Sequence, residues 1–154
     1  MAGQVEKRLA DAGLKLPTAA KPGGNYVPAV ATGKLVFMAG QLPYRDGKVG
    51  VTGKLGGGVA IEQGYEGAKL CALNILAQLK AEIGDLDKVR RCVRVGGFVN
   101  CTPDFADHPK VSNGASDLFA LAFGDAGRHA RTTVGVAALP AGASVEIEAV
   151  FEVA

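Results

Sequence analysis

Apolar and polar residues alternate along this chain with two different periods. Over Ile61–Ile83 the period is helical: Tyr65, Ala68, Ala72, Ile75, Leu76, Leu79 and Ile83 share a stripe, and Glu62, Glu66, Lys69, Lys80 and Glu82 fall largely off it. Gly84 supplies the stop. Val111–Phe123 predicts a second helix that buries Leu118, Phe119, Leu121 or Ala122, and Phe123. A short amphipathic helix is expected at Gln4–Leu14, with Val5, Leu9 and Ala12 inward and Gly13 ending it. Elsewhere the strand period governs. Tyr26–Ala31 and Leu35–Ala39 read as a hairpin around Thr32-Gly33-Lys34, and Val89–Val99 as one strand with a bulge expected at Gly96-Gly97.

The last stretch, Arg131–Val153, reads as two strands separated where Pro140 and Gly142 interrupt the pattern. With Pro140–Ala143 as the loop, Glu146 lies opposite Ala137 and Arg131 opposite Glu152. Thr132, Val134, Val136 and Ala138 then share a core face with Val145, Ile147, Ala149, Phe151 and Val153, so both strands agree on the register. The opposite face carries Arg131, Thr133, Gly135 and Ala137 with Glu146, Glu148, Val150 and Glu152. Such a face is either solvated, with Arg131 and Glu152 paired for about 0.2–1 kcal/mol, or a covered polar pocket.

The element order is therefore helix, β-β, helix, β, helix, β-β, with no internal repeat. This is an α+β pattern: a mixed sheet with the two main helices packed on one face, plus a short N-terminal helix. Residues 1–154 form one domain, in which 1–24 are a helix-and-loop extension. The other sheet face needs cover, and copies of the same chain are the simplest cover, so a symmetric homo-oligomer is expected.

Composition narrows the function classes. Apolar residues are 48% and charged residues 21%, with a formal net charge of +2, so there is no basic footprint for nucleic acid. Cys71, Cys92 and Cys101 are scattered, with no CxxC or Cys/His cluster, which suggests buried free thiols and neither a metal site nor a disulfide framework. The glycine-rich Lys48–Gly58 lacks the spacing of a phosphate cradle. No charged-then-apolar leader opens the chain and no apolar run reaches membrane-spanning length, so a cytoplasmic location is expected.

Three segments, NYVPAVATGKLVFMAGQLP, GDLDKVRRCVRVGGFVNCTPDF and RTTVGVAALPAGASVEIEAVF, resemble the RidA family, also called YjgF or endoribonuclease L-PSP-like. The likeness runs from Asn25 onward, and Arg131-x-x-Val-x-Val with Leu139-Pro-x-x-x-x-Val-Glu-Ile-Glu is its most specific part. The N-terminal helix and Val49–Gly58 look like features of a longer branch. The resemblance implies a chorismate mutase-like fold and a homotrimer with ligand clefts between subunits. It also implies hydrolysis of reactive enamine or imine acids to 2-oxo acids and ammonia. By position, the carboxylate-binding arginine of the family falls on Arg131, its acid on Glu146, its pocket tyrosine on Tyr26 and its helix asparagine on Asn113. Backbone near Gly40 would form part of the ligand wall. Where well-studied members carry cysteine two residues after the arginine, this chain has Thr133, which leaves only a backbone contact at that position.

The chemistry is coherent with those residues. Arg131 can hold a carboxylate by a bidentate pair, and Glu146 can orient or deprotonate a water and return the proton to the departing nitrogen. No metal or organic cofactor is required. On the expected hairpin, Arg131 and Glu146 stand six positions apart, roughly 20 Å, so the site is expected to draw on two chains. A trimer that binds small carboxylates or another protein without catalysis is the alternative. A ribonuclease is a further one, disfavoured by scattered charge and two distant histidines, His108 and His129.

Overall fold

The computed structural model describes residues 3–154. Helices α1 (Gln4–Asp11), α2 (Ile61–Ile83) and α3 (His108–Phe123) accompany strands β1 (Ala29–Thr32), β2 (Leu35–Gln41), β3 (Tyr44–Arg45), β4 (Lys48–Val49), β5 (Val89–Asn100), β6 (Ala130–Val136) and β7 (Val145–Val153). Five strands form a mixed sheet in the order β1-β2-β7-β5-β6, and β3-β4 is a separate ribbon turning at Asp46-Gly47. The fold is α+β, with α2 and α3 against one face.

The main core lies under that face. Val36, Val95, Val99, Val145, Ile147 and Phe151 from the sheet meet Ile75, Leu76, Leu79 and Phe119 from the helices, all fully buried. Helix α2 has the bounds its pattern predicts, but it is buried far beyond the expected stripe. Gly67, Leu70, Asn74 and Gln78 are also enclosed, because the loops around Leu42, Tyr44 and Val51 close over that side. Gln63 caps the helix by accepting from Ala60 N–H at 2.8 Å, and Gly84 ends it at φ 83°. Helix α3 starts three residues earlier than expected, since Pro109 fits a first turn where its missing N–H costs nothing.

The final hairpin is a correction. Strands β6 and β7 do not pair: β5 lies between them, antiparallel to β7 and parallel to β6, with α3 as the crossover. Glu146 is therefore beside Phe98 and not Ala137, and Glu152 lies beside Leu35 and Arg91 and not Arg131. The inward parity of β7 is as expected, but that of β6 is reversed. Arg131 aligns with the buried Val95, and Thr133 bonds Ser112 of α3, while Val134 is 43% exposed on the open face.

Three smaller expectations also change. Tyr26 precedes β1 and is not a strand residue. Strand β5 runs regularly through Gly96-Gly97, its irregularities lying at Val89/Arg91 and Cys92/Arg94. In α1, Ala12 is exposed while Val5 and Leu9 are buried. Among the described residues, no helix is long and apolar enough to cross a membrane.

Candidate functional site

Two half-sites sit apart on the sheet, one on the edge strand β6 and the other across β2 and β7. The first is built on β6 and α3. Asn113 and Ser116 are one turn apart on α3, and both reach the edge strand beside them. Arg131 donates through Nη1 to Asn113 Oδ1 at 2.9 Å and to Ser116 Oγ at 3.0 Å. Both partners are neutral, and among the described residues no carboxylate lies within ion-pair distance of the guanidinium. Its charge and remaining N–H groups are thus available to a ligand.

Behind Ser116 stands His129. Its Nδ1 lies 2.7 Å from Gly127 O, an acceptor only, so Nδ1 carries the proton. Nε2, 2.8 Å from Ser116 Oγ, then accepts the serine hydroxyl, leaving a serine lone pair for Arg131. Burial lowers the histidine pKa, the bond to Gly127 O opposes this less strongly, and the Arg131 charge lowers it slightly further. Thr133 Oγ1 is 2.6 Å from Ser112 Oγ, so its hydroxyl is engaged inward.

The second half-site holds Tyr26, Gly40 and Glu146, which line a hollow of about 700 Å³ between β2, β7 and the 17–28 loop. Glu146 projects from the open face of β7. Desolvation raises its pKa, and repulsion from Glu148 raises it further. A Cβ at Gly40 would run into Glu146 Oε1, so a side chain there would shift that carboxylate. Tyr26 is 56% exposed at the rim.

Arg131, Asn113 and Thr133 are therefore brought together, as are Tyr26, Gly40 and Glu146, but the two groups are not joined within one chain. Sequence reasoning passed over Ser116 and left His129 at the surface. The spacing of Asn113 and Ser116 was the available signal for the first. It also missed a smaller hollow where Cys101 Sγ lies 3.5 Å from His108 Nε2. Burial raises the pKa of both other thiols, Cys92 to about 12. No group of three or more potential metal ligands occurs among the described residues.

Comparison with known proteins agrees with this architecture. The family model described as "YjgF/chorismate_mutase-like, putative endoribonuclease" matches residues 6–151. Protein TCP17 of Trypanosoma cruzi is 46% identical over 97% of this chain and 94% of its own. A 2-iminobutanoate/2-iminopropanoate deaminase of Dermatophagoides farinae is 30% identical over 89% and 92%. The crystal structure of Atu1372 from Agrobacterium tumefaciens, a protein of unknown function, superposes with a TM-score of 0.92 at 48% identity, covering 97% of this chain and 92% of that one. Fold, matched length and identity together place this chain in the YjgF/RidA family.

Proposed function

We propose that the protein hydrolyses reactive 2-imino and enamine acids to 2-oxo acids and ammonia, in a cleft formed between neighbouring subunits of a homotrimer. The observation that carries this reading is the guanidinium of Arg131, oriented by Asn113 and Ser116 yet not neutralised. That is the state a carboxylate-binding arginine needs before its ligand arrives. The name of the Dermatophagoides farinae relative supports the same reaction class.

The half-sites complement each other. A substrate held by Arg131 has no carboxylate of its own chain beside it, whereas the Glu146 half-site has no guanidinium among its lining residues to grip a carboxylate by two bonds. A neighbouring copy docked on the open sheet face would bring them together. That face exposes Val30, Phe37 and Val134, at 53%, 46% and 43%, an apolar surface that another copy can cover. Glu146 takes a proton from water as the oxygen adds to the C=N carbon and passes it to nitrogen. It then carries the carbinol O–H proton to the same nitrogen as the C–N bond breaks, the C=O forms and ammonia leaves. Its raised pKa makes it a better base for this step. Gly40 and Tyr26 form the wall beside it, and the Thr133 backbone is the remaining contact near Arg131.

The test is an assay of imines generated in place from several amino acids, with parent protein and Arg131→Ala, alongside sedimentation to fix the assembly. Arg131→Ala is expected to lose about 10- to 100-fold, the range for one charged hydrogen-bonding partner. Undiminished turnover by the variant, or full turnover by a monomer, would overturn the reading. Carboxylate binding by the parent without turnover would select the second reading, a non-catalytic binder, which the lack of a carboxylate beside Arg131 in its own chain favours.

A further inference from the structure

The hollow beside Glu146 has a floor that the imine chemistry leaves unused. Asn74 and Gln78 stand one turn apart on α2, are only 9% and 5% exposed, and both line it. Asn74 Nδ2 donates to Leu42 O at 3.2 Å and to Tyr44 O at 3.0 Å. Gln78 Nε2 donates to Ala20 O at 2.6 Å. Carbonyl partners on the nitrogen side fix the orientation of each amide, so Asn74 Oδ1 and Gln78 Oε1 are the ends left over.

Neither oxygen has a hydrogen-bond donor among the described residues. Neither is sealed in protein either, because the one enclosed side-chain atom without a partner among those residues is Thr102 Oγ1. In side chains so deeply buried, the opening these oxygens have is the hollow itself. They bring two acceptors to a cavity that already holds the Glu146 carboxylate, with Asp46 and Lys21 as an opposed pair of charges on its exposed loops. The wall is rich in acceptors and asks for donors.

We infer that this hollow receives the far end of the ligand side chain and selects one that ends in planar N–H donors, a primary amide or a guanidinium. This rests on the reading that Arg131 anchors the ligand carboxylate, and it adds which side chains the cleft admits. An apolar end would leave two buried carbonyl oxygens and a carboxylate unpaired, and a carboxylate end would set acceptor against acceptor.

The probes are four carboxylates of matched reach, titrated calorimetrically into the full-length protein: 4-carbamoylbutanoate, 3-guanidinopropanoate, 5-methylhexanoate and glutarate. The amide and its branched apolar isostere differ only in hydrogen bonding. The amide or the guanidinium is expected to bind at least about tenfold tighter than the isostere, with glutarate weaker still. Gln78→Met, checked for folding by thermal melting, is expected to shrink that ratio severalfold. A preference for the amide over the guanidinium, or the reverse, tells which donor group the floor fits. An isostere or glutarate that binds as well as both donor-ended probes overturns the inference. If that happens while Arg131→Ala weakens all four, the carboxylate anchor stands without the selectivity. If the donor preference holds while Arg131→Ala binds like the parent, the anchor fails and the donor pocket stands. No binding by any probe overturns both.

Discussion

Arg131 and Glu146 project from opposite faces of one sheet, on strands separated by β5. Glu146 is level with Phe98 and so with Val134, three residues along β6 from Arg131. Side-chain rotation cannot unite groups on opposite faces, so a site that uses both has to draw them from two chains. Arg131→Ala and Glu146→Ala are each expected to turn over slowly alone, the first down by about 10- to 100-fold. Refolded together in equal amounts, they should regain activity in about a quarter of clefts, those where an intact arginine meets an intact neighbouring glutamate. Absence of any recovery in mixtures that sediment like the parent would rule out the shared cleft.

The chain from Gly127 through His129 and Ser116 to Arg131 works with a neutral imidazole. The pKa of His129 is lowered from the ordinary 6.5, so the folded state disfavours the imidazolium. For a depressed base, that stability is fully present above 6.5 and is lost as pH falls through that value toward the folded pKa. Denaturant midpoints between pH 7.5 and 5 should fall more in the parent than in His129→Gln. Equal slopes would show that the imidazole is not held neutral.

Glu146 has the opposite sign. Its pKa is raised from 4.5, so the folded chain favours the protonated carboxyl. That contribution is present below 4.5 and is lost as pH rises through the folded value. Glu146→Gln removes the loss, and its stability relative to the parent should improve as pH is raised from 4 to 7 while turnover disappears. Gly40→Ala is expected to lower turnover as well, since the new methyl displaces the carboxylate it abuts. A Glu146→Gln variant with full turnover would remove the acid–base assignment.

How far the sequence could be read depended on which force set each element. Helix α2 and the inward side of β7 were legible, because burial alone dictates where Leu76, Leu79, Ile147 and Phe151 fall. Strand β6 was not. A hairpin and a βαβ crossover leave the same apolar alternation in β7, and nothing local to the Pro140 loop announces that β5 will come between. The parity of β6 was hidden by its composition: of its helix-facing residues, Arg131 and Thr133 are polar and bond to side chains of α3, and Gly135 borders the smaller hollow, so the more apolar Val134 was assigned inward. Asn74 and Gln78 were obscured in the same way, as two polar residues inside a helix whose apolar pattern absorbed attention.

The N-terminal extension supplies the last prediction. Helix α1 has no side-chain cap of its own, and its first N–H groups are taken by Asp87, which accepts from Gln4 N at 2.8 Å and Val5 N at 2.9 Å. Those two bonds lower the carboxyl pKa, the Val5 contact most. A depressed acid contributes stability above its unfolded value, lost as pH falls through the folded one, so α1 should loosen in acid before the core does. Asp87→Ala should cost about 1 kcal/mol, the usual worth of a cap, and amide exchange should rise over 4–11 while α2 and the sheet remain protected. Uniform exchange across the whole chain in that variant would mean that α1 and the core unfold as one unit, and that the carboxylate is not the local fastening of the extension.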